Sequence, residues 1–597
     1  MTVVEFGMLL VTGTAESCST GGHVFHLDRG VVTSILLASL LLTGGCGKPA
    51  NDDKADVVIM DARIFTLDDE QPWAEAAAIK DGRFVYVGDK SGSGEWIGAT
   101  TRIIAAEDHL VLPGFIDTHV HPVSGGGYAT ALSLDTFGTV DDWLVAIEDY
   151  AAANTERPVL FGYGFLASTF GPEGPLRQQI DAIVPDKPVL IMDEGFHGAW
   201  ANTAALEALN ITQDTPDPVP GFSYYKRDAN GDATGYLLEG TAGMAMEALD
   251  VITEDVVVEG TGIVIDIMNR YGVTAAFDAG VISEGAGVKA ILDRLEADDE
   301  LTLRLVGSYR PAGTDEADVA VANAKRWAET IKGENYHYRM LKIMDDGTVE
   351  GRTAAMFEDY QGEPGNSGET VFTEAQMTSM ISGAAAENID VHVHALGERA
   401  IHETLNAIEA ARAANPDTGS RFTICHIQVI ADQDLDRFAE LDVIAQSTPL
   451  WASYDEYGEQ FVSEDQFDRY WRFASLKKRG VRLTFGSDYP ASGAGTLGLS
   501  PVMQIEIGRT RQYAGEPDAP IQPRESERLD IETLVRGFTI DAAWQLRMED
   551  DIGSIEVGKY GDLTMLDQDI FTADPHTIHE TKVLLTLLGG EVVYASN

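Results

Sequence analysis

The sequence predicts an α/β protein: a barrel of eight βα units joined to a small β-sandwich built from both ends of the chain. Three observations lead there. Apolar strands alternate with helical stretches through residues 113–549, the pattern of parallel βα units. Short strand-like runs separated by Asp/Gly turns fill residues 55–112, and the same texture returns in 550–597. The middle also far exceeds the roughly 250 residues of a plain eight-fold barrel, so it must hold an insertion.

The elements follow in chain order. Arg29 precedes an apolar run from Val31 to Leu42, then Thr43-Gly-Gly-Cys46. That run is short for a bilayer span and has the length of a signal-peptide core. Residues 1–46 are therefore expected to be a signal peptide whose Cys46 becomes a lipidated first residue. The alternatives are a signal cleaved nearby or an uncleaved anchor. Residues 47–54 form a tether, and the expected location is the periplasmic side of a bacterial cell envelope, anchored by lipid. In 55–112, Val57–Met60, Arg63–Thr66 and Gly82–Gly88 read as sandwich strands. Asp562–Asp567, Val583–Leu588 and Glu591–Tyr594 complete the sandwich from the other end. Between them, Val371–Asn388 reads as a helix leading into the strand Val391-His-Val-His394.

Composition narrows the function classes. The 597 residues are 44% hydrophobic and 23% charged, as expected of a globular chain. Lys and Arg number 42 against 96 Asp and Glu, a formal charge of −54. Such a field repels nucleic acid and anionic lipid, so no nucleic-acid partner is expected, and membrane contact only through the lipid anchor. The cysteines are Cys18, Cys46 and Cys425, too few for a disulfide framework.

The chemistry-bearing residues stand at strand ends. Leu110–His121 is an apolar strand ending in His119-x-His121, and a strand's period of two puts both imidazoles on one face. Neutral imidazoles suit borderline metals such as zinc. His394, His426 and Asp488 likewise sit where apolar strands give way to loops, the functional face of a βα barrel. Taken singly, each histidine reads as a hydrogen-bonded core residue; four histidines and an aspartate in this order make coincidence improbable.

With Leu112–His121, Asp193–Asn202, Gly272–Asp278, Lys342–Gly347, His394–Gly397, Gly486–Pro490 and Ile552–Lys559, the chain resembles the amidohydrolase superfamily. More narrowly it resembles the YtcJ-like branch, amidohydrolase family 3, which includes N-substituted formamide deformylase. The resemblance implies a distorted (β/α)8 barrel, a two-part sandwich (55–112 and 550–597) and an insertion after strand 1, at roughly 128–245. It implies one or two divalent ions, zinc foremost. His119 and His121 would bind the buried metal, and His394 and His426 the more exposed one. Lys342 on strand 4 would bridge them as a carboxylated lysine, and Asp488 would ligate weakly and act as general base. Carbamate formation needs a neutral amine, which burial favours; the competing reading of Lys342 is a salt bridge to Asp345 or Asp346.

The branch usually carries Gly-Asp after the strand-5 histidine, whereas here Gly397-Glu398 stands, which puts the local geometry in doubt. His392 shares a face with His394 and is assigned to packing. His197 either lines the substrate pocket or anchors a loop, and Arg352 is a candidate grip on a substrate carboxylate or carbonyl. Trp451, Tyr454 and Tyr457 read as core or lid packing. Gly493–Gly498 matches G-x-G-x-x-G, and Gly162–Ala167 its looser form, but neither sits in a dinucleotide-binding βαβ unit. Gly125-Gly-Gly127 lacks the Lys-Ser/Thr of a phosphate loop.

The expected function is a metal-dependent amidohydrolase that cleaves a non-peptide C–N bond, amide or N-formyl, in a small-molecule substrate through a metal-activated hydroxide. A lactone, ester or cyclic-amide hydrolase using the same site is the alternative. An inactive envelope binding protein is the rival from another class. Oligomeric state, with a homodimer as the candidate, stays open.

Overall fold

The computed structural model describes residues 53–135, 138–170, 173–193, 198–218, 223–280 and 285–596. Cys46, with the whole expected signal segment, and His197 lie outside the described residues.

Eight parallel strands form the central sheet in strict sequence order. They are β1 (Phe115–Val120), β2 (Val273–Asp278), β3 (Arg304–Tyr309), β4 (Tyr336–Met344), β5 (Asp390–Ala395), β6 (Phe422–His426), β7 (Val443–Ser447) and β8 (Leu483–Phe485). Most are buried on both faces and read as near-continuous apolar runs, as parallel strands covered by helices must. The helix after β4 shows the local logic. Thr373 caps it through the Gln376 amide and Gln376 reaches back, so Glu374–Ala386 starts on a capping box.

The sheet curls until β1 meets β8. No regular ladder joins them; the seam is made by Thr118 Oγ1 donating to the Phe485 carbonyl at 2.7 Å, and by the Asp488 N–H donating to the His119 carbonyl at 2.7 Å. This is the expected distorted (β/α)8 barrel.

Two further units sit on it. The sandwich pairs a four-stranded sheet, built from residues 57–105, with a six-stranded sheet drawn from both chain ends. In the latter, Leu110–Pro113 lies antiparallel to Leu563–Leu566. Its core mixes Val57, Ile59, Ile79 and Val111 with Leu563 and Leu587. Three sandwich strands go beyond the sequence reading: Trp73–Ala74, Arg102–Ala105, and Ala76–Lys80, which lies between Val57–Met60 and Arg83–Gly88. Its alanine run has little strand propensity, and burial between two neighbours overrides it.

Between β1 and β2 the chain builds a separate mixed six-stranded sheet, from Leu132–Ser133 to Ala233–Leu238, with its own apolar clusters. Gly162 and Gly164 lie inside one of its strands, Leu160–Phe165. The glycine triplet 125–127 lies in the helix Pro122–Ala129, which packs against the helix Glu254–Arg270. The approach is so close that a Cβ on Gly260 would stand 1.8 Å from the Gly126 carbonyl oxygen.

Gly260→Ala should therefore destabilise. Alanine gains up to about 1 kcal/mol in helix propensity, but the backbone clash costs about 1–3 kcal/mol. The measurement is the thermal unfolding midpoint, which should fall; a rise would mean the two helices can separate freely.

Candidate metal centre

Period-two alternation and strand-end turns bring six of the expected residues to one mouth. His119 is the penultimate residue of β1 and His121 follows that strand. Lys342 lies on β4, His394 on β5, and His426 ends β6. Asp488 follows β8 in a left-handed conformation with φ 53°. The Asp488 Oδ1 stands 3.2 Å from His121 Nε2 and 3.4 Å from His119 Nε2. The His119 and His426 ring centres are 4.6 Å apart, and those of His394 and His426 4.5 Å.

Burial governs the electrostatics. His119 is 1% exposed and His426 3%. Desolvation, helped by the neighbouring basic groups, holds both imidazoles well below the usual histidine range. They are thus neutral, as ligation requires. Burial also lowers the Lys342 amine. Its Nζ donates to Cys425 Sγ at 3.2 Å and stands 3.4 Å from His119 Nε2. Among the described residues it has no ion-pair partner, so the salt bridge to Asp345 or Asp346 is not formed. Burial pushes the Cys425 thiol up to about 12.

A second layer aims the histidines. The Asp346 carboxylate accepts from the Leu396, Gly397 and Ala355 amides at 3.0, 2.9 and 3.1 Å, and meets His394 Nδ1 at 3.2 Å. His394 Nδ1–H donates there, leaving Nε2 for the mouth, the usual arrangement behind a metal ligand. His121 Nδ1 is held by the Gly280 carbonyl at 3.1 Å. His119 Nδ1 meets His392 Nε2 at 3.0 Å. His392 therefore orients a candidate ligand as well as packing in the core. Asp117, pushed up to about 7 by burial, accepts from the amides of His119 and Ser487 at 3.1 and 3.0 Å.

The residues present fit a divalent ion. Buried His426 Nδ1 has no hydrogen-bond partner among the described residues, a costly state that a bound cation relieves. The ligand atoms of His119, His121 and Asp488 lie within 4.8 Å of one another, as do those of His119, Cys425 and His426. The donor set, imidazole with carboxylate or thiolate, suits zinc.

Other residues go elsewhere. Glu398 turns to Arg469 at 2.6 Å and Gln466 at 3.2 Å, so the longer side chain anchors a loop. Arg352 pairs with Glu363 at 2.8 Å and lies over Phe461. Trp451 packs its ring 5.5 Å from that of His426. Two neighbours went unnoticed in the sequence. Arg310 follows β3 against Gly280, its buried Nε without a partner among the described residues. Cys425 escapes period-two reasoning because His426, at φ 72°, breaks the strand's alternation.

Replacing His392 with Phe should weaken metal binding by about 10–100-fold with the fold retained. Chelator competition measures this, and an unchanged affinity would leave His392 a packing residue.

Residues 102–594 match the family described as the Amidohydrolase family. The chain is 26% identical to YtcJ of Bacillus subtilis, over 89% of this chain and 98% of that one. It is 26% identical to the N-substituted formamide deformylase of Arthrobacter pascens, over 90% and 98%. Among solved structures, an uncharacterized metal-dependent hydrolase from Pyrococcus furiosus superposes with a TM-score of 0.69 at 21% identity. That match covers 86% of this chain and all of the other, a likeness of fold.

Proposed function

Because the chain belongs to the amidohydrolase family, we propose that it is a metal-dependent hydrolase of carbon–nitrogen bonds whose substrate is an amide or N-formyl compound. The observation that carries this reading is Asp488 Oδ1 standing beside both His119 and His121 Nε2. The formamide deformylase among the relatives supports the N-formyl class. His119, His121 and Asp488 would hold one ion, and His394 and His426 a second.

A divalent ion bound there supplies Lewis acidity that activates water and polarises a carbonyl. Asp488 takes the attacking water's proton on its carboxylate and returns it to the leaving nitrogen. Its backbone tie to His119 keeps that carboxylate at the mouth. The buried Lys342 amine, lowered by desolvation, would add to carbon dioxide, forming an N–C bond and shedding one proton, and its carbamate would then help hold the ions. Arg310 offers its guanidinium to a substrate oxygen, and Trp451 shields the His426 side from water.

Asp488→Asn should lower turnover by about 10²–10⁴-fold while elemental analysis finds the metal retained. Chelation should abolish turnover on N-formyl and N-acyl amides, and zinc should restore it, with lactones as controls. Undiminished turnover in the variant, or turnover that survives chelation, overturns the reading.

A further inference from the structure

We propose that Cys425 is a metal ligand, its sulfur lying beside His119 and His426 and binding the second ion, the one that His426 would hold. This rests on the metal-dependent reading above and deepens it. Three observations converge. The Sγ lies within 4.8 Å of the ligand atoms of both histidines. The left-handed turn at His426 lets two successive residues of β6 contribute side chains to one interior, where a regular strand would send them to opposite faces. And His426 Nδ1, buried and without a hydrogen-bond partner among the described residues, marks this pocket as lacking a group that accepts its lone pair.

The chemistry is coherent. Thiolate and imidazole together are a preferred donor set for zinc. Binding breaks the S–H bond and forms a metal–sulfur bond, and the proton leaves to solvent. No oxidant or reductant is involved. The hydrogen bond from Lys342 Nζ, at 3.2 Å, then serves as the outer contact that orients the sulfur. Sulfur also contributes a negative charge beside His426, whose imidazole burial keeps neutral.

The test is X-ray absorption of the full zinc-loaded chain, with cobalt substitution alongside. The wild type should show a sulfur scatterer at about 2.3 Å besides nitrogen or oxygen near about 2.0–2.1 Å, and the cobalt form a thiolate-to-metal charge-transfer band. Both should vanish in Cys425→Ser with the metal still bound, and persist in a Cys18→Ser, Cys46→Ser double variant. A wild-type spectrum with nitrogen and oxygen alone overturns the sulfur ligand and leaves the proposed function standing. A wild type that binds neither zinc nor cobalt overturns both. If Cys425→Ser fails to fold, the double variant alone decides, because Cys425 is then the sole cysteine.

Discussion

The hydrogen bond from the Asp488 amide to the His119 carbonyl ties the last barrel strand to the first at the point where the acid meets the imidazoles. Without a regular ladder between β1 and β8, closure depends on such single contacts. Asp117 spans the same seam, bonding to the amides of His119 and Ser487. Gly486 makes room for it: a Cβ there would lie 2.4 Å from the His119 nitrogen. Barrel closure and the geometry of the mouth are therefore one problem, solved by the same few atoms.

Around that seam the protein buries basic groups inside an acidic exterior. The formal charge is −54, yet His119, His392, His426 and the Lys342 amine are all lowered by burial. An uncompensated buried cation is expensive, so burial favours the uncharged form of each group. Three backbone amides and His394 satisfy the Asp346 carboxylate in the interior.

Much of this architecture could be read from the residues, because period-two alternation and strand-end position are local signals. His119-x-His121 announces its shared face directly, and the capped helix at Thr373 was visible as a helical stretch. What escaped depends on tertiary context. Ala76–Lys80 has helix-forming composition and becomes a strand only between partners. Glu398 looked like a departure at the site until Arg469, distant in sequence, turned it away. Cys425 was hidden by a backbone torsion at its neighbour, and Arg310 by the absence of any motif around one arginine.

The pairing of Leu110–Pro113 with Leu563–Leu566 has a bearing on biosynthesis. A ribosome delivers the first of these strands hundreds of codons before the second. β1 likewise waits for β8. Until the final hairpin emerges, the nascent chain carries sheet edges and apolar faces that it cannot yet cover. Such exposure invites aggregation while the chain is still incomplete.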